Sequence, residues 1–289
     1  MSLEAKSWSS QADQMSTVSR VLVHLADSVH TESLIPFAVQ LAQRCQARVR
    51  GLTLVDTSQL EDDVSDVESA AYAAFEQQRL DEEHSQRERT RATFSQVCLA
   101  AGLDFDLHRK RGPQLEVLRG ESKVHDLSMT SVRLKANRGE GEQTPAGARQ
   151  LVQGGISPLL IVRESSDLPQ RILLVLDESP ASSRSLRSFL SQRILTDATV
   201  RLLAICPTPE AAKQILRDHM DGVSARFPDV ETGYATGRPA QVVPDYAMKW
   251  EADLVVTGVQ PSAPLIGRFR GDVITQVLKK THSAVYAAN

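Results

Sequence analysis

The chain alternates short apolar runs with stretches in which apolar residues recur every three or four positions. The segments Arg20–Ser28 and Arg171–Ser179 each hold an apolar run of strand length that ends in a polar turn. Each is followed by a helical pattern, over Glu32–Arg44 in the first half and Ala181–Arg193 in the second. Because strands and helices alternate, the pattern predicts an α/β fold with a parallel sheet covered by helices on both faces.

The second half of the chain repeats the pattern of the first half in the same order. The recurring landmarks are a second strand (Val49–Val55 and Thr199–Cys206), a Gly/Pro turn (Arg111–Pro113 and Gly237–Pro239), a fourth strand (His125–Thr130 and Ala252–Thr257) and a last strand (Ser157–Val162 and Ser283–Ala288). Such a repeat predicts two tandem domains, at 19–165 and 169–289. A polar leader at 1–18 precedes them and is expected to be flexible.

The first copy is longer than the second because of one inserted segment. The copies begin 151 positions apart, whereas their fourth strands lie 127 apart, so the first copy holds extra residues after its second strand. The segment Asp62–Ala101 reads as one or two helices with one apolar face. Its densely charged stretch, 77–91, is typical of a solvated helix face, and the alternative is a partner-binding arm.

Composition narrows the classes of partner. The formal charge of −3 is close to balance and aromatic residues make up 4% of the 289 residues, which argues against nucleic acid as a partner. The three cysteines and the scattered histidines lack the spacing of a metal site. We find neither an apolar run of membrane-spanning length nor a secretory core, so we expect a cytoplasmic protein without membrane contact.

The strongest candidate for chemistry lies near the end of the chain. In open parallel sheets, ligands bind where strand order reverses, beyond the carboxyl ends of the strands. In the second half that edge is formed by the loops at Asp177–Ser179, Ile205–Pro207 and Gly258–Gly271. The last loop reads Gly258-Val-Gln-Pro261, nine residues, then Gly271-Asp272, which is the frame of a phosphate cradle with two parts replaced.

These landmarks together resemble universal stress proteins in tandem. The resemblance rests on Leu176–Ser179, Gly237–Pro239, Ala252–Gly258 and the final helix and strand, and it covers Arg20 to Asn289. It implies two flavodoxin-like or Rossmann-like domains, each with five parallel strands. Some members of that family bind ATP through Gly-x2-Gly-x9-Gly-Ser/Thr, and others bind no nucleotide.

The motif transfers only in part. Gly258 and Gly271 match its first and third glycines, but Pro261 falls on the second glycine and Asp272 on the hydroxyl position. Asp177 matches the acidic residue that lies near adenosine in the members that bind it. The candidate nucleotide-binding residues are Asp177, Ser179, Ile205, Gly237, Gly258, Arg268, Arg270, Gly271 and Asp272.

The two departures weaken a phosphate site. Proline has no N–H to offer a phosphate. We expect Asp272 to cap the helix that follows it. Its carboxylate would then occupy the anion site at the helix N-terminus and repel a phosphate. Arg268 and Arg270 are the groups that could offset this repulsion. The favoured interpretation is a capped turn without ligand, and the alternative is weak or altered binding of ATP or AMP.

The first half departs further from the motif. Ser131, Leu134, Thr144 and Pro145 fall on its four positions, and none matches. His24, inside the first strand, is expected to be a core histidine. Ser182 and Ser183 begin a helix and are expected to be caps, and no nucleophile with a recognisable base is evident.

The favoured function is therefore a non-catalytic stress-response scaffold or sensor that acts through protein partners. The alternative is an ATP-binding protein with slow ATP hydrolysis. We expect the last strands of the two halves, Leu159–Val162 and Val285–Ala288, to pair and so to build a pseudo-twofold dimer into one chain. A further homodimer stays open, with Asp62–Ala101 as its candidate interface.

Overall fold

The computed structural model describes residues 16–26, 30–56, 70–131, 145–155, 157–163, 167–259 and 272–289. Its strands are β1 (Arg20–His24), β2 (Arg48–Val55), β3 (Phe105–Arg111), β4 (Leu127–Ser131), β5 (Leu159–Val162), β6 (Arg171–Leu176), β7 (Thr199–Ile205), β8 (Val230–Ala235), β9 (Leu254–Gly258) and β10 (Ala284–Ala288). Its helices are α1 (His30–Cys45), α2 (Ala70–Ala100), α3 (Gln114–Ser122), α4 (Pro145–Gly154), α5 (Pro180–Gln192), α6 (Pro209–Ser224), α7 (Pro239–Lys249) and α8 (Val273–Lys280).

The described strands form one continuous sheet in the order β3-β2-β1-β4-β5-β10-β9-β6-β7-β8. Within each half, neighbouring strands run parallel. The two halves meet where β10 pairs antiparallel with β5, with Tyr286 opposite Leu160 and Val285 opposite Ile161. The structure confirms the predicted α/β class and the five parallel strands of each half. It also confirms the predicted pairing of the last strands, which joins the two sets of five into one sheet.

Strands at the centre of the sheet are apolar because helices cover both faces. All five residues of β10 are buried, as are all four of β5. Helices α5 and α6 begin in the same way, with a hydroxyl cap followed by proline. Ser179 accepts a hydrogen bond from the Ser182 N–H, and Thr208 accepts one from the Ala211 N–H.

The inserted segment contains a single long helix, α2, over the residues that are described. Its C-terminal part belongs to the core of the first half, since Phe94 and Cys98 are fully buried. The described side chains of its charged stretch from Gln78 to Ser85 are exposed. The interpretation of that stretch as a solvated helix face therefore holds for these residues, while the start of the predicted segment, 62–69, lies outside the described residues.

Contacts between the halves reinforce the strand pairing. Arg163, just after β5, donates to the Leu278 and Thr281 carbonyls at the end of α8. Its counterpart Asn289, just after β10, donates to the Gln153 carbonyl near the end of α4. Each half thus supplies a polar side chain to the carbonyls that close the other half's last helix.

The end of the leader also joins the two halves. The Ser16 hydroxyl and the Thr17 N–H both donate to the Gln192 carbonyl at the end of α5, over 2.8 and 3.2 Å. Val18 beside them is 1% exposed. Residues 16–18, which we predicted to belong to a flexible leader, are therefore packed against the second half, and residues 1–15 lie outside the described part of the chain.

Candidate functional site

The candidate site lies where strand order reverses in the second half. Strand β6 pairs with β7 on one side and with β9 on the other. Asp177 follows β6, Ile205 ends β7 and Gly258 ends β9, so all three lie at the carboxyl edge of the sheet. The topology thus places these three candidate residues at one edge of the sheet, the edge at which open parallel sheets bind ligands.

Gly258 is a packing residue at this edge. A Cβ added there would lie 2.3 Å from the backbone carbon and oxygen of Ala181 and 2.5 Å from the Ser182 nitrogen. These are main-chain atoms of the first turn of α5, so no side-chain rotation relieves the overlap. Glycine is required at this position for α5 to lie against β9, whether or not a ligand is present.

Asp177 is engaged within its own turn. Its carboxylate accepts hydrogen bonds from the Ser179 N–H, over 3.0 Å, and from the Ser179 hydroxyl. The Ser179 oxygen in turn accepts from the Ser182 N–H, and the Ser182 hydroxyl donates to the Asp177 and Ser179 carbonyls. The acidic residue and the serine that were candidates for contacting a ligand therefore hold together the start of α5.

Asp272 lies at the N-cap position of α8, with φ −80° and ψ 137°. Its carboxylate makes no capping hydrogen bond to a backbone N–H but accepts one from the Thr275 hydroxyl, over 3.2 Å. The prediction that the Asp272 side chain caps α8 is therefore wrong. Its carboxylate is hydrogen-bonded instead to the Thr275 hydroxyl, one turn into the helix. The negative charge remains at the helix N-terminus, where a phosphate would otherwise be favoured.

The remaining candidates divide between backbone, core and undescribed positions. Gly237 has φ +120° just before α7, and its counterpart Gly112 has φ +145° before α3, so both glycines are kept by backbone conformation. Ile205 is 4% exposed and lies in the core below the edge. Pro261, Arg268, Arg270 and Gly271 lie outside the described residues.

The first half carries a buried polar chain at the equivalent edge. His24, at the end of β1, lies 3.0 Å by its Nδ1 from the Thr130 hydroxyl and 3.4 Å by its Nε2 from the Gln114 amide nitrogen. Since the Thr130 hydroxyl donates to the Ser131 carbonyl, we assign the imidazole proton to Nδ1. Burial lowers the pKa of His24 to about 4.

This arrangement confirms that His24 is a core histidine. Ser131, which takes the place of the first motif glycine, is fully buried, and Pro145 is the first residue of α4. Leu134 and Thr144 lie outside the described residues.

Sequence reasoning missed one pair of polar residues. The Ser183 hydroxyl on α5 lies 3.1 Å from the His219 Nε2 on α6. Ser182 and Ser183 were expected to be caps, but the N-cap is Ser179. The two partners are 36 positions apart on different helices, so no local spacing could have shown that they meet.

We also searched the described part of the chain for metal ligands, disulfides and membrane-spanning helices. No group of three His, Cys, Asp or Glu residues there could hold a metal ion. Cys45, Cys98 and Cys206 are buried and free. Among the helices of the described ranges, none has the length and apolar character needed to cross a membrane.

Comparisons with known proteins agree with this architecture. Residues 169–288 match the model of the universal stress protein family. A universal stress protein from Archaeoglobus fulgidus DSM 4304 superposes with a TM-score of 0.67 at 12% identity, covering 93% of this chain and 96% of that one. A putative universal stress protein from Pseudomonas aeruginosa UCBPP-PA14 has a TM-score of 0.54 at 16% identity, covering 96% and 94%.

A protein of unknown function from Pseudomonas aeruginosa PAO1 is similar to the same extent, with a TM-score of 0.53 at 15% identity over 96% of this chain and 94% of that one. No curated protein matches the sequence. At these identities the solved structures establish the fold. The whole chain therefore shares its α/β fold with the Archaeoglobus protein, and residues 169–288 are a domain of the universal stress protein family.

Proposed function

We propose that the protein is a non-catalytic stress-response scaffold whose second-half cradle, residues 258–272, no longer binds a nucleotide. The observation that carries the proposal is the Asp272 carboxylate at the N-terminus of α8. In the ATP-binding motif this position holds a hydroxyl that donates to phosphate. A carboxylate accepts hydrogen bonds but does not donate them, and it repels an anion.

The neighbouring residues support the same conclusion. A ligand that used Asp177 would have to compete with the Ser179 N–H and hydroxyl, which already bind its carboxylate. Breaking that turn would also weaken the cap of α5, which is typically worth about 1 kcal/mol. Gly258 is accounted for by packing against Ala181 and Ser182, so its retention does not require a ligand.

Calorimetric titration tests the proposal directly. Protein stripped of nucleotide is titrated with ATP and with AMP, as wild type and as Asp272→Ser. We expect no binding by wild type and measurable binding by Asp272→Ser, which restores the hydroxyl and removes the charge. Asp229→Ser is the matched control, since Asp229 is exposed and precedes β8 at the opposite edge of the sheet. Micromolar binding by wild type would refute the proposal.

The alternative function, slow ATP hydrolysis, makes a different prediction. Detectable turnover of ATP that disappears in Asp177→Asn would favour it, because that substitution removes the charge while keeping acceptor and donor groups in the turn. Unchanged turnover in this variant would mean that the charge of Asp177 takes no part in the reaction. A thermal unfolding curve for each variant separates loss of activity from loss of the α5 cap.

We also propose the stretch of α2 from Gln78 to Ser85, whose described side chains are exposed, as the surface that binds a partner, with a second copy of this chain as the partner to test. The described side chains from Gln78 to Ser85 face solvent, whereas Thr90, Phe94 and Cys98 are buried. Deleting residues 78–84 therefore removes exposed side chains and leaves these three core residues in place. Sedimentation should show a wild-type dimer and a monomeric variant. A monomeric wild type, or a variant that stays dimeric, would rule out this interface.

A further inference from the structure

A serine and a histidine form a hydrogen-bonded pair on the helical face of the second half. Ser183 is the fourth residue of α5, and its hydroxyl oxygen is 3.1 Å from the Nε2 of His219 on α6. Both side chains are partly exposed, so a reagent in solution can reach them. Ser183 contributes nothing to the cap of α5, since Ser179 is the N-cap.

The histidine tautomer is fixed by a third group. The Nδ1 of His219 lies 2.9 Å from the Ile215 carbonyl, one turn earlier in α6. A carbonyl can only accept, so in the neutral imidazole Nδ1 carries the proton and Nε2 carries the lone pair. The hydroxyl of Ser183 must then donate to Nε2. A nucleophile, a base and a group that orients the base are thus in sequence, which is the arrangement that activates serine.

Rigid surroundings hold both partners in place. The first turn of α5 is fixed by its Ser179 cap and by the close approach of Gly258. Ile215, whose carbonyl orients His219, packs against the small apolar cluster of Ala204, Cys206 and Ala212. Because both partners lie on packed helices, the 3.1 Å geometry is preorganised.

We propose that Ser183 is an acceptor site for an acyl group from an activated ester, with His219 as its general base. The Ser183 oxygen attacks the carbonyl carbon of the ester, and His219 Nε2 takes the hydroxyl proton. The bond between the carbonyl carbon and the leaving oxygen then breaks, and the alcohol departs as its anion or takes the proton from His219. The product is one ester-linked acyl group on Ser183.

This reaction is stoichiometric modification of the chain, so it is compatible with a scaffold that turns over no substrate. Its reacting side chains lie on α5 and α6, and Gly258 of the cradle supports them only by packing against the first turn of α5. A failed or successful nucleotide titration therefore leaves it untouched, and the two proposals stand or fall separately.

Acetylation by p-nitrophenyl acetate tests the proposal on the full-length protein. Release of p-nitrophenolate is followed by absorbance, and the site of the added acetyl group is mapped by peptide mass spectrometry. We expect Ser183 to be acetylated about 100-fold faster than Ser191, an exposed serine on the same helix. In His219→Gln the rate at Ser183 should fall about 100-fold, the lower range for loss of a general base.

Two results would overturn the proposal. One is acetylation of wild type in which Ser183 reacts no faster than Ser191. The other is an equal early release of p-nitrophenolate by wild type and Ser183→Ala, with Ser191→Ala as the control. Mapping the adduct on the wild-type chain makes the test independent of whether any variant folds.

Discussion

Replacing Gly258 by alanine tests whether packing, and not a ligand, keeps glycine at the end of β9. The added methyl group would lie 2.3 Å from the Ala181 carbon and oxygen and 2.5 Å from the Ser182 nitrogen. Because these are backbone atoms, relief requires α5 to move away from β9. That movement would disturb the bond from the Ser185 hydroxyl to the Thr257 carbonyl, which ties the same helix to the same strand.

The expected cost follows from the geometry. Overpacking a well-packed interior costs typically about 1–3 kcal/mol, and here no side chain can rotate to reduce it. For proteins larger than about 150 residues, each kcal/mol of lost stability lowers the melting temperature by about 2–4 °C. We therefore expect Gly258→Ala to melt roughly 2–12 °C below wild type in the absence of any nucleotide.

Thermal unfolding followed by circular dichroism measures this shift, and Gly120→Ala is the matched control. Gly120 is inside α3, and an added Cβ there meets nothing within 4 Å. Alanine is the better helix former, so Gly120→Ala should stabilise the protein by about 0.5–1 kcal/mol. If Gly258→Ala instead melts with the wild type, the packing argument is wrong, and the glycine would have to be explained by close approach of a ligand.

Three further predictions concern the core and the junction of the halves. The pKa of His24 is about 4 in the folded chain and 6.5 ordinarily, so the unfolded chain takes up the proton at higher pH than the folded chain. The free energy of unfolding should therefore fall by up to about 3 kcal/mol as the pH drops from 6.5 to 4. Urea unfolding at several pH values should show this pH dependence in wild type and its loss in His24→Gln. Arg44→Ala removes an ion pair with Asp197 in which the two side chains are 45% and 55% exposed, so the free energy of unfolding should fall by less than about 1 kcal/mol. If this loss of stability is as large in high salt as in low salt, it does not come from the ion pair. Tyr286→Phe deletes a buried hydroxyl that lies 3.0 Å from the Ser188 hydroxyl, and it should cost about 1 kcal/mol by urea unfolding; no change would mean that water satisfies Ser188 equally well.

The fold was predictable from the sequence because its signals are local and repeated. Arg20–Ser28 and Arg171–Ser179 each showed a strand and its turn within nine residues, and the repeat of their surroundings fixed the order of the rest. The pairing of Leu159–Val162 with Val285–Ala288 followed from the need to satisfy the edges of two copies in one chain.

The site was predictable only in outline. Topology placed Asp177 and Gly258 at one edge of the sheet, since the carboxyl ends of parallel strands share an edge. It could not show that α5 fills the space beside Gly258, or that Thr275 takes the carboxylate of Asp272. Such contacts depend on how helices pack across the chain, as does the meeting of Ser183 with a histidine 36 positions away.

Native mass spectrometry of the intact chain with ATP tests the central claim most directly, since it detects a bound nucleotide on the unmodified protein. Spectra are recorded for wild type and Asp272→Ser over a series of ATP concentrations into the millimolar range. We expect the mass of wild type to show no bound nucleotide at any ATP concentration, while the mass of Asp272→Ser rises by that of one nucleotide. A wild-type chain that carries one ATP at micromolar concentration would contradict the claim that Asp272 closes the cradle.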